Sequence, residues 1–400
     1  MDIHLFFQEV SMSKDSKRTR KLAVKRFRKG ESPSIICASL GRSRYWLYKW
    51  IKRFDPNNPI WSHDRSRRPI NIPHQTPLEI EEIVKMIRLN LYNNDLFCGA
   101  QAIHWEMEDM GVVPLPSERT INRILSRNDL THRRTGRYEP KGIPYPVLPS
   151  VRPNQTHQAD LVGPCFLRGP IRFYSQNAVD VATGRGGVEP LSGKDSQNVI
   201  NGLWRIWLRL GIPENLQVDN ELSYHGSYRY PRGMGALTRL CLHIGIELWF
   251  IPMAEPWRNG VIEKFNDHYQ QKFLNKVTMG SFDELVAGSL AFENRHNTRY
   301  RYSKLGGKTP LMTLTNTKAK LSFPTEEKPP AHPLPKPEIG CYHLVRFIRS
   351  DLKLNIFGEI FPVVPELQHE YVIATVDVKE QKLKLSLGHT QVDEFKYKLR

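Results

Sequence analysis

Segments with the pattern of a β-strand alternate with segments with the pattern of a helix between residues 154 and 300. Short runs rich in apolar residues predict strands at 156–163, 171–182, 187–192, 215–219 and 246–251. Helical periodicity predicts helices at 195–210, 235–243, 258–275 and 282–297. Three successive strands followed by alternating helices and strands are typical of a mixed sheet flanked by helices, so we expect an α/β core domain over residues 150–300.

Three carboxylates stand at notable positions in this predicted core. Asp160 interrupts the first strand, Asp219 closes the fourth, and Glu263 lies one turn into the third helix. An unpaired carboxylate in an apolar strand is costly, whereas carboxylates that meet in a fold bind hard divalent cations. The alternative is that they are ordinary acids at the ends of strands, because the core contains several other acidic residues.

The charge of the chain indicates what such a metal site would act on. The net charge is +17, and residues 14–53 contain 14 lysines and arginines against two acids. A local excess of this kind attracts a polyanion, so nucleic acid is the expected partner and phosphodiesters the expected substrate. The alternative is an ordinary basic soluble protein. No run of 18 apolar residues occurs, so no membrane association is expected.

Residues 16–54 show the pattern of a helix-turn-helix DNA-binding domain. Gly41 supplies the turn, and Ser43 can cap a following helix whose apolar face holds Leu47 and Trp50. The opposite face is basic and aromatic, which favours DNA binding over the alternative of a surface hairpin with solvated charges. The residues expected to contact DNA from this module are Arg42, Arg44, Tyr45, Tyr48, Lys49 and Lys52.

The remaining segments complete a multidomain architecture. Residues 1–15 are an N-terminal lead, and 55–76 form a basic linker in which Arg65, Arg67 and Arg68 either enter a minor groove or belong to a plain tether. Residues 77–140 predict a second helix-turn-helix domain in tandem, with Arg119 and Arg123 as DNA contacts. A proline-rich linker covers 303–338, and short alternating strands over 340–400 predict a small β-barrel.

Cysteine spacing and nucleotide-binding motifs limit the chemistry further. The five cysteines are scattered singly, so a zinc site built from them is not expected and reduced thiols in a cytosolic compartment are the simple interpretation. No G-x-x-x-x-G-K-[ST] loop occurs, so intrinsic ATP hydrolysis is not expected.

The flanking residues of the three acids resemble a known family. Residues 157–160, 218–220 and 256–266, above all the run Asn-Gly-x-x-Glu-x-x-Asn that starts at Asn259, look like the integrase core of bacterial insertion-sequence transposases and retroviral integrases. The resemblance implies a ribonuclease-H-like mixed-sheet catalytic core with a DDE site. It implies that Asp160, Asp219 and Glu263 are the catalytic triad and bind Mg²⁺ or Mn²⁺, as a pair of ions.

Two features depart from retroviral integrases. Forty-three residues separate Asp219 from Glu263, which is longer than usual there. The extra length falls in residues 223–233, a segment rich in Tyr, Arg and Gly that either contacts DNA or is an irregular surface insertion. The Cys/His zinc module of retroviral integrases is absent, so recognition of DNA ends would fall to the helix-turn-helix domains.

Four other residues near the acids carry weaker predictions. His157 lies three positions before Asp160, on the other face of the strand, and is expected to be structural. Asn220 is a candidate for a hydrogen bond near the metals, and the alternative is that it has no part in the site. Arg258 and Lys264 flank Glu263 and are expected to contact DNA phosphates, with intramolecular ion pairing as the competing account.

The function predicted from the sequence is that of a DNA transposase. It would bind the ends of a mobile element, cut the 3′ ends with metal-activated water, and transfer the freed hydroxyl to target DNA. The expected partners are double-stranded DNA, a homo-oligomer on paired ends and, where required, a helper ATPase or target-selection protein. The expected location is the bacterial cytoplasm, associated with the nucleoid. The alternatives are a DNA-binding regulator with an inactive integrase-like core and a metal nuclease without strand transfer.

Overall fold

A computed structural model describes residues 17–64, 76–131, 145–226, 232–317, 319–331 and 333–400. The chain divides into two units, Met1–Gln75 and Thr76–Arg400. In the described ranges no helix combines the length and the apolar character that crossing a membrane requires. The N-terminal lead at 1–15 and the predicted DNA contacts Arg65, Arg67 and Arg68 lie outside the described residues.

Over residues 17–64, the first unit is a bundle of three short helices, and the turn of a helix-turn-helix joins the last two. Its helices are α1 (Lys17–Arg28), α2 (Pro33–Leu40) and α3 (Arg44–Arg53).

Turn chemistry and apolar spacing fix this bundle as the sequence predicts. Gly41 ends α2 in the left-handed conformation (φ 59°), which glycine adopts without strain. The Ser43 hydroxyl accepts a 3.2 Å hydrogen bond from the Trp46 N–H and caps α3. Ala23, Ile36 and Leu47, one from each helix, are fully buried and form the centre of the core.

The second unit is built on the predicted alternation of strands and helices. The five strands of the core are β1 (Thr156–Phe166), β2 (Arg172–Asp180), β3 (Gly186–Leu191), β4 (Asn215–Val218) and β5 (Glu247–Phe250). Strands β1, β2 and β3 pair antiparallel in succession, whereas β4 pairs parallel with β1, and β5 pairs parallel with β4.

Helices cover both faces of this mixed sheet. Three helices that precede it are α4 (Leu78–Asn93), α5 (Ala100–Asp109) and α6 (Glu118–Arg127). Six others come after β3 in the chain, either between the later strands of the core or after β5: α7 (Ser196–Leu210), α8 (Leu222–His225), α9 (Ala236–Ile244), α10 (Gly260–Tyr269), α11 (Phe282–Arg299) and α12 (Pro310–Thr315). A short π-helical segment, Gln270–Leu274, continues α10.

Helices α4 to α6 occupy the place predicted for a second DNA-binding domain but share their core with the sheet. Ile103 of α5 and Ile121 of α6 belong to the same buried apolar cluster as Phe173 of β2 and Phe292 of α11. Residues 110–117 connect α5 to α6, a longer link than the three- or four-residue turn of a helix-turn-helix. These helices are therefore an integral part of the second unit.

The predicted C-terminal small β-barrel is not confirmed, because most of its strands extend the core sheet. Six strands follow α12: β6 (Cys341–Phe347), β7 (Lys353–Ile356), β8 (Glu359–Pro362), β9 (Tyr371–Asp377), β10 (Lys382–Leu387) and β11 (Thr390–Lys396). Strand β6 pairs parallel with β5, and the sheet runs β11-β10-β9-β6-β5-β4-β1-β2-β3. Pairing with β6 satisfies the backbone groups that an edge strand β5 would leave open. Strands β7 and β8 form a separate hairpin.

The proline-rich segment 303–338 is attached to the core over much of its length. The backbone N–H of Ile212 donates to the carbonyl of Ser322 (2.8 Å), and the indole N–H of Trp204 donates to the carbonyl of Glu326 (2.9 Å). Leu334 is buried in the same cluster as the strands. The expected linker is thus a strap along the domain in its described part.

Candidate active site

Neighbouring parallel strands bring the first two acids to one edge of the sheet. Gln158 of β1 is the register partner of Gln217 of β4. Asp160 and Asp219 each follow two residues later, so both carboxylates project from the same face, Asp160 from within β1 and Asp219 directly after the end of β4. Both side chains are half-buried.

Glutamine side chains hold the helix that carries Glu263 against these strands. The amide oxygen of Gln158 accepts the backbone N–H groups of Val261 (3.0 Å) and Ile262 (3.1 Å). These belong to the first turn of α10, where N–H groups have no partner within the helix. Gln217 donates to the carbonyl of Arg258 (3.0 Å), immediately before the helix. The position of Glu263 therefore depends on residues of β1 and β4.

Asparagine side chains connect the same helix to Asp160. Asn266, one turn after Glu263, donates a 2.7 Å hydrogen bond to Oδ2 of Asp160. Asn177 of β2 donates to Oδ1 of Asn266 (2.8 Å), and the Ser175 hydroxyl donates to Oδ1 of Asn177 (2.8 Å). The amide oxygens of Asn177 and Asn266 each accept a hydrogen bond, so their NH2 groups donate to the next residue. This chain of hydrogen bonds ends at the carboxylate of Asp160.

The electrostatics of the site show that the acids influence one another. Burial raises the pKa of Asp219 to about 6, and the negative charges of Asp160 and Glu221 act in the same direction against a backbone hydrogen bond from Glu221. Burial also raises the pKa of Asp160, with a contribution from Glu221. The pKa of Glu263 is raised by burial and then by Asp160 and Asp267. The charge of Asp160 thus raises the pKa of both Asp219 and Glu263.

The donor set suits a hard divalent cation, although the side chains do not converge fully. Within the described part of the chain, no three His, Cys, Asp or Glu side chains stand close enough together to hold a metal ion. The raised pKa values nevertheless mark a half-buried group of repelling carboxylates, which a cation with oxygen ligands would stabilise. Asp160, Asp219 and Glu263 are the residues that could hold it, and Glu221 is a fourth acid nearby.

Several residues of this site were missed by sequence reasoning. Gln158 and Gln217 carry a weak signal, because each lies two positions before a predicted catalytic aspartate and so shares its face of the sheet. Glu221 lies two positions after Asp219 and forms a 2.9 Å ion pair with Lys194. Asn266 belongs to the recognised motif, but its bond to Asp160 cannot be seen from spacing alone.

Two weaker predictions now have a structural account. His157 is fully buried and its Nε2 bonds to Asn154 (3.0 Å), as expected for a structural residue. The side chain of Asn220 bonds to groups other than the acids: its NH2 group donates to the carbonyl of Ile251 (2.7 Å), and its oxygen accepts from Arg346 (2.9 Å).

The two basic residues that flank Glu263 both have acidic neighbours. The guanidinium of Arg258 donates to Glu255 (2.9 Å) and to the hydroxyl of Tyr371 (2.7 Å). The competing account of intramolecular pairing therefore describes Arg258, and a phosphate contact by it stays a prediction. Lys264 is exposed, and its Nζ lies 3.7 Å from Oδ2 of Asp267. Its contact with DNA stays a prediction.

The helix α3 presents the predicted DNA-binding face to solvent. Tyr45 is 81% exposed and Tyr48 is 50% exposed. The guanidinium of Arg42 lies over the ring of Trp46 at 5.6 Å from its centre. The exposed residues of this face are Arg44, Tyr45, Tyr48, Lys49 and Lys52. In the other unit, Arg119 and Arg123 are exposed on α6.

Comparison with known proteins identifies a family for two parts of the chain. Residues 14–58 match the homeodomain-like domain family, and residues 244–310, which include Glu263, match the integrase core domain family. No curated protein matches the chain.

Solved structures of retroviral integrases are distantly similar. The catalytic core domain of HTLV-2 integrase, solved in complex with magnesium in a trimeric form, is 18% identical over 40% of this chain and 96% of its own, with a TM-score of 0.31. The simian T-cell lymphotropic virus intasome, solved with the PP2A regulatory subunit B56 gamma, is 15% identical over 79% of this chain and 97% of its own, with a TM-score of 0.37.

The described architecture is an α/β core with a mixed sheet, part of which matches the integrase core domain family, and a helix-turn-helix, homeodomain-like region precedes it in the chain. Together, the matched families and the fold support a protein of the DDE transposase and integrase type, with a role in DNA recombination.

Proposed function

We propose that this protein is a DNA transposase that binds the ends of a mobile element and catalyses metal-dependent 3′-end cleavage and strand transfer into target DNA. One observation carries the proposal: Asp160 and Asp219 leave adjacent parallel strands on one face, and Gln158 of the same strand pair holds the helix that bears Glu263. A regulator that only binds DNA would not need three acids arranged around one sheet edge.

Asp160, Asp219 and Glu263 are the proposed metal ligands and catalytic residues. One or two Mg²⁺ or Mn²⁺ ions, when bound, supply charge stabilisation for an in-line displacement at a phosphodiester. The chain itself orients the carboxylates: Asn266 holds one oxygen of Asp160, and the backbone N–H of Glu221 donates to Asp219 (3.0 Å). No covalent link between protein and DNA is required, because water or a DNA hydroxyl attacks.

DNA recognition is assigned to the exposed face of α3. Its lysines and arginines neutralise phosphates, and its tyrosines add flat surfaces that can pack on the sugar-phosphate edge or the bases. Arg119, Arg123 and Lys264 are proposed as further phosphate contacts. Joining two ends implies a homo-oligomer on paired DNA, working in a bacterial cytoplasm at the nucleoid, with a helper ATPase or target-selection protein where target choice requires one.

One observation favours a second candidate, a DNA-binding regulator with an inactive core. The three carboxylates do not converge into a metal-holding group among the described residues. A regulator of this kind would bind DNA through α3 and leave every strand intact.

End-labelled DNA from both sides of the gene, incubated with the protein and Mg²⁺ or Mn²⁺, separates the candidates. A transposase frees a 3′ end and joins it to a second DNA, and Asp219→Asn abolishes both steps while end binding is retained. Intact strands with the wild type would favour the regulator. Cutting without joining would identify a nuclease, and full strand transfer by Asp219→Asn would exclude the assigned triad.

A further inference from the structure

The C-terminal strands contact the chain next to two of the proposed catalytic acids, directly after Asp219 and directly before the helix of Glu263. Strand β6 supplies Arg346, which bonds to the residue directly after Asp219. Strand β9 supplies Tyr371, which bonds to the turn directly before α10 and Glu263. The integrase family match at residues 244–310 ends before either strand begins.

Arg346 joins three separate segments through its guanidinium. It donates to the side-chain oxygen of Asn220 (2.9 Å), to the carbonyl of Ile251 after β5 (3.1 Å), and to the carbonyl of Asn355 in β7 (3.1 Å). The NH2 group of Asn220 donates to the same Ile251 carbonyl (2.7 Å). The segment after Asp219 is therefore fixed to the end of β5 and to β6 at once.

The placement of Arg346 in an apolar face argues for a specific task. Tyr342, Leu344 and Ile348 occupy alternate positions on the same side of the chain and are at most 2% exposed. Arg346 is itself only 5% exposed. Burial of a guanidinium is unfavourable unless its donors are satisfied. If packing were the only requirement at this position of β6, an apolar residue would meet it. The hydrogen bonds of Arg346 to the segment after Asp219 therefore explain why a charged residue occupies this buried position.

Tyr371 fixes the turn that precedes α10 through its hydroxyl group. Its hydroxyl donates to a carboxylate oxygen of Glu255 (2.7 Å) and accepts from Arg258 (2.7 Å), while Arg258 also donates to Glu255 (2.9 Å). Arg258 lies over the rings of Tyr371 and Tyr145, at 4.8 Å and 4.2 Å from their centres. Residues 255–258 form the last turn before the helix that bears Glu263.

We propose that Arg346 and Tyr371 are positioning residues of the active site, Arg346 acting through Asn220 on Asp219 and Tyr371 acting through Glu255 and Arg258 on the helix of Glu263. The C-terminal strands are then part of the catalytic scaffold. This inference rests on the proposed transposase function, and it assigns the strands no contact with the reacting phosphate.

Cleavage kinetics with Arg346→Met, Arg346→Lys and Asn220→Ala test the first limb. Because a displacement of about 1 Å in a catalytic group can lower a rate by about a hundredfold, we expect Arg346→Met and Asn220→Ala to lower kcat by about ten- to a hundredfold. The KM for end DNA should change less than twofold. The double variant should be no slower than the slower single variant, because both remove one shared contact. Arg349→Met, at an exposed arginine just beyond β6, is the matched control.

Tyr371→Phe tests the second limb, since it removes only the hydroxyl. We expect the same loss in kcat with an unchanged KM, whereas Tyr92→Phe at a tyrosine that is 60% exposed should leave both unchanged. A kcat within twofold of the wild type for Tyr371→Phe would overturn this limb.

A metal titration separates failure of this inference from failure of the proposed function. The Mn²⁺ concentration at the midpoint of thermal stabilisation, measured without DNA, should rise several-fold in Arg346→Met and Asn220→Ala and stay unchanged in Arg349→Met. If the wild type cuts no DNA, the proposed function fails and the Mn²⁺ midpoint alone decides on Arg346. If Arg346→Met does not fold, Arg346→Lys and Asn220→Ala decide. Multiplicative effects in the double variant, or an unchanged kcat and midpoint, would overturn the proposal.

Discussion

Asn266 donates a 2.7 Å hydrogen bond to Oδ2 of Asp160, across 106 positions of sequence. The bond joins the helix of one proposed catalytic acid to the side chain of another. The orientation of the Asp160 carboxylate therefore depends on the position of α10 as well as on β1.

Asn266→Ala should therefore slow DNA cleavage as well as destabilise the fold. The substitution removes two hydrogen bonds, to Asp160 and from Asn177, and each lost bond lowers the free energy of unfolding by about 1–3 kcal/mol. We expect at least about a tenfold loss in kcat from a freely rotating carboxylate. Asn294→Ala, at an exposed position of α11, is the control. Urea unfolding and single-turnover cleavage measure the two effects, and a rate equal to that of the wild type would show that the bond has no part in catalysis.

Gln158→Met should loosen α10 while keeping the size of the side chain. The two N–H groups of Val261 and Ile262 lose their acceptor, which we expect to lower the free energy of unfolding by about 1–3 kcal/mol. Hydrogen exchange at the start of α10 should accelerate in the variant and not in Gln271→Met, an exposed glutamine in the segment after the helix. Unchanged exchange would mean that another group holds this helix end.

Asp219→Asn should stabilise the metal-free protein at neutral pH. Because burial raises the pKa of Asp219 to about 6, the folded state disfavours its charge, and stability from this group falls as the pH rises from about 4 to about 6. Removing the charge should add about 1–3 kcal/mol at pH 7 and abolish the stabilisation by Mn²⁺. Thermal melts at pH 4 and pH 7 measure this, and equal melting temperatures of variant and wild type at pH 7 would contradict it.

His296 should make the fold sensitive to acid. Its Nε2 donates to the Gly184 carbonyl (2.9 Å), so in the neutral ring Nδ1 accepts from the Tyr302 hydroxyl (3.1 Å). Burial lowers its pKa from 6.5 to about 4. The unfolded chain thus binds the proton first, and stability falls as the pH drops from about 6.5 towards 4. His296→Gln keeps a donor for Gly184 and should flatten this dependence in urea unfolding. An unchanged slope would refute the assignment.

The alternation of strands and helices made most of the core predictable, because buried strands such as β4 and β5 place apolar residues at alternate positions, which local sequence shows. The pairing of neighbouring strands follows from their short connections. The position of β6 beside β5 does not, since local sequence does not say which sheet edge a strand will join. The bonds of Gln158 and Arg346 are also beyond local patterns, because their partners lie 103 and 126 positions away.

Lys49→Ala should weaken binding to DNA in a way that depends on salt. Lys49 lies on the exposed face of α3, and each phosphate contact that is lost should reduce the slope of log K against log salt by about one. Binding to end DNA measured between low and physiological salt gives that slope, and Lys379→Ala, at an exposed lysine between β9 and β10, should leave it unchanged. Cleavage at saturating DNA should match the wild type, because α3 recognises DNA and does not form the acidic site. An unchanged affinity and slope for Lys49→Ala would remove this lysine from the DNA interface.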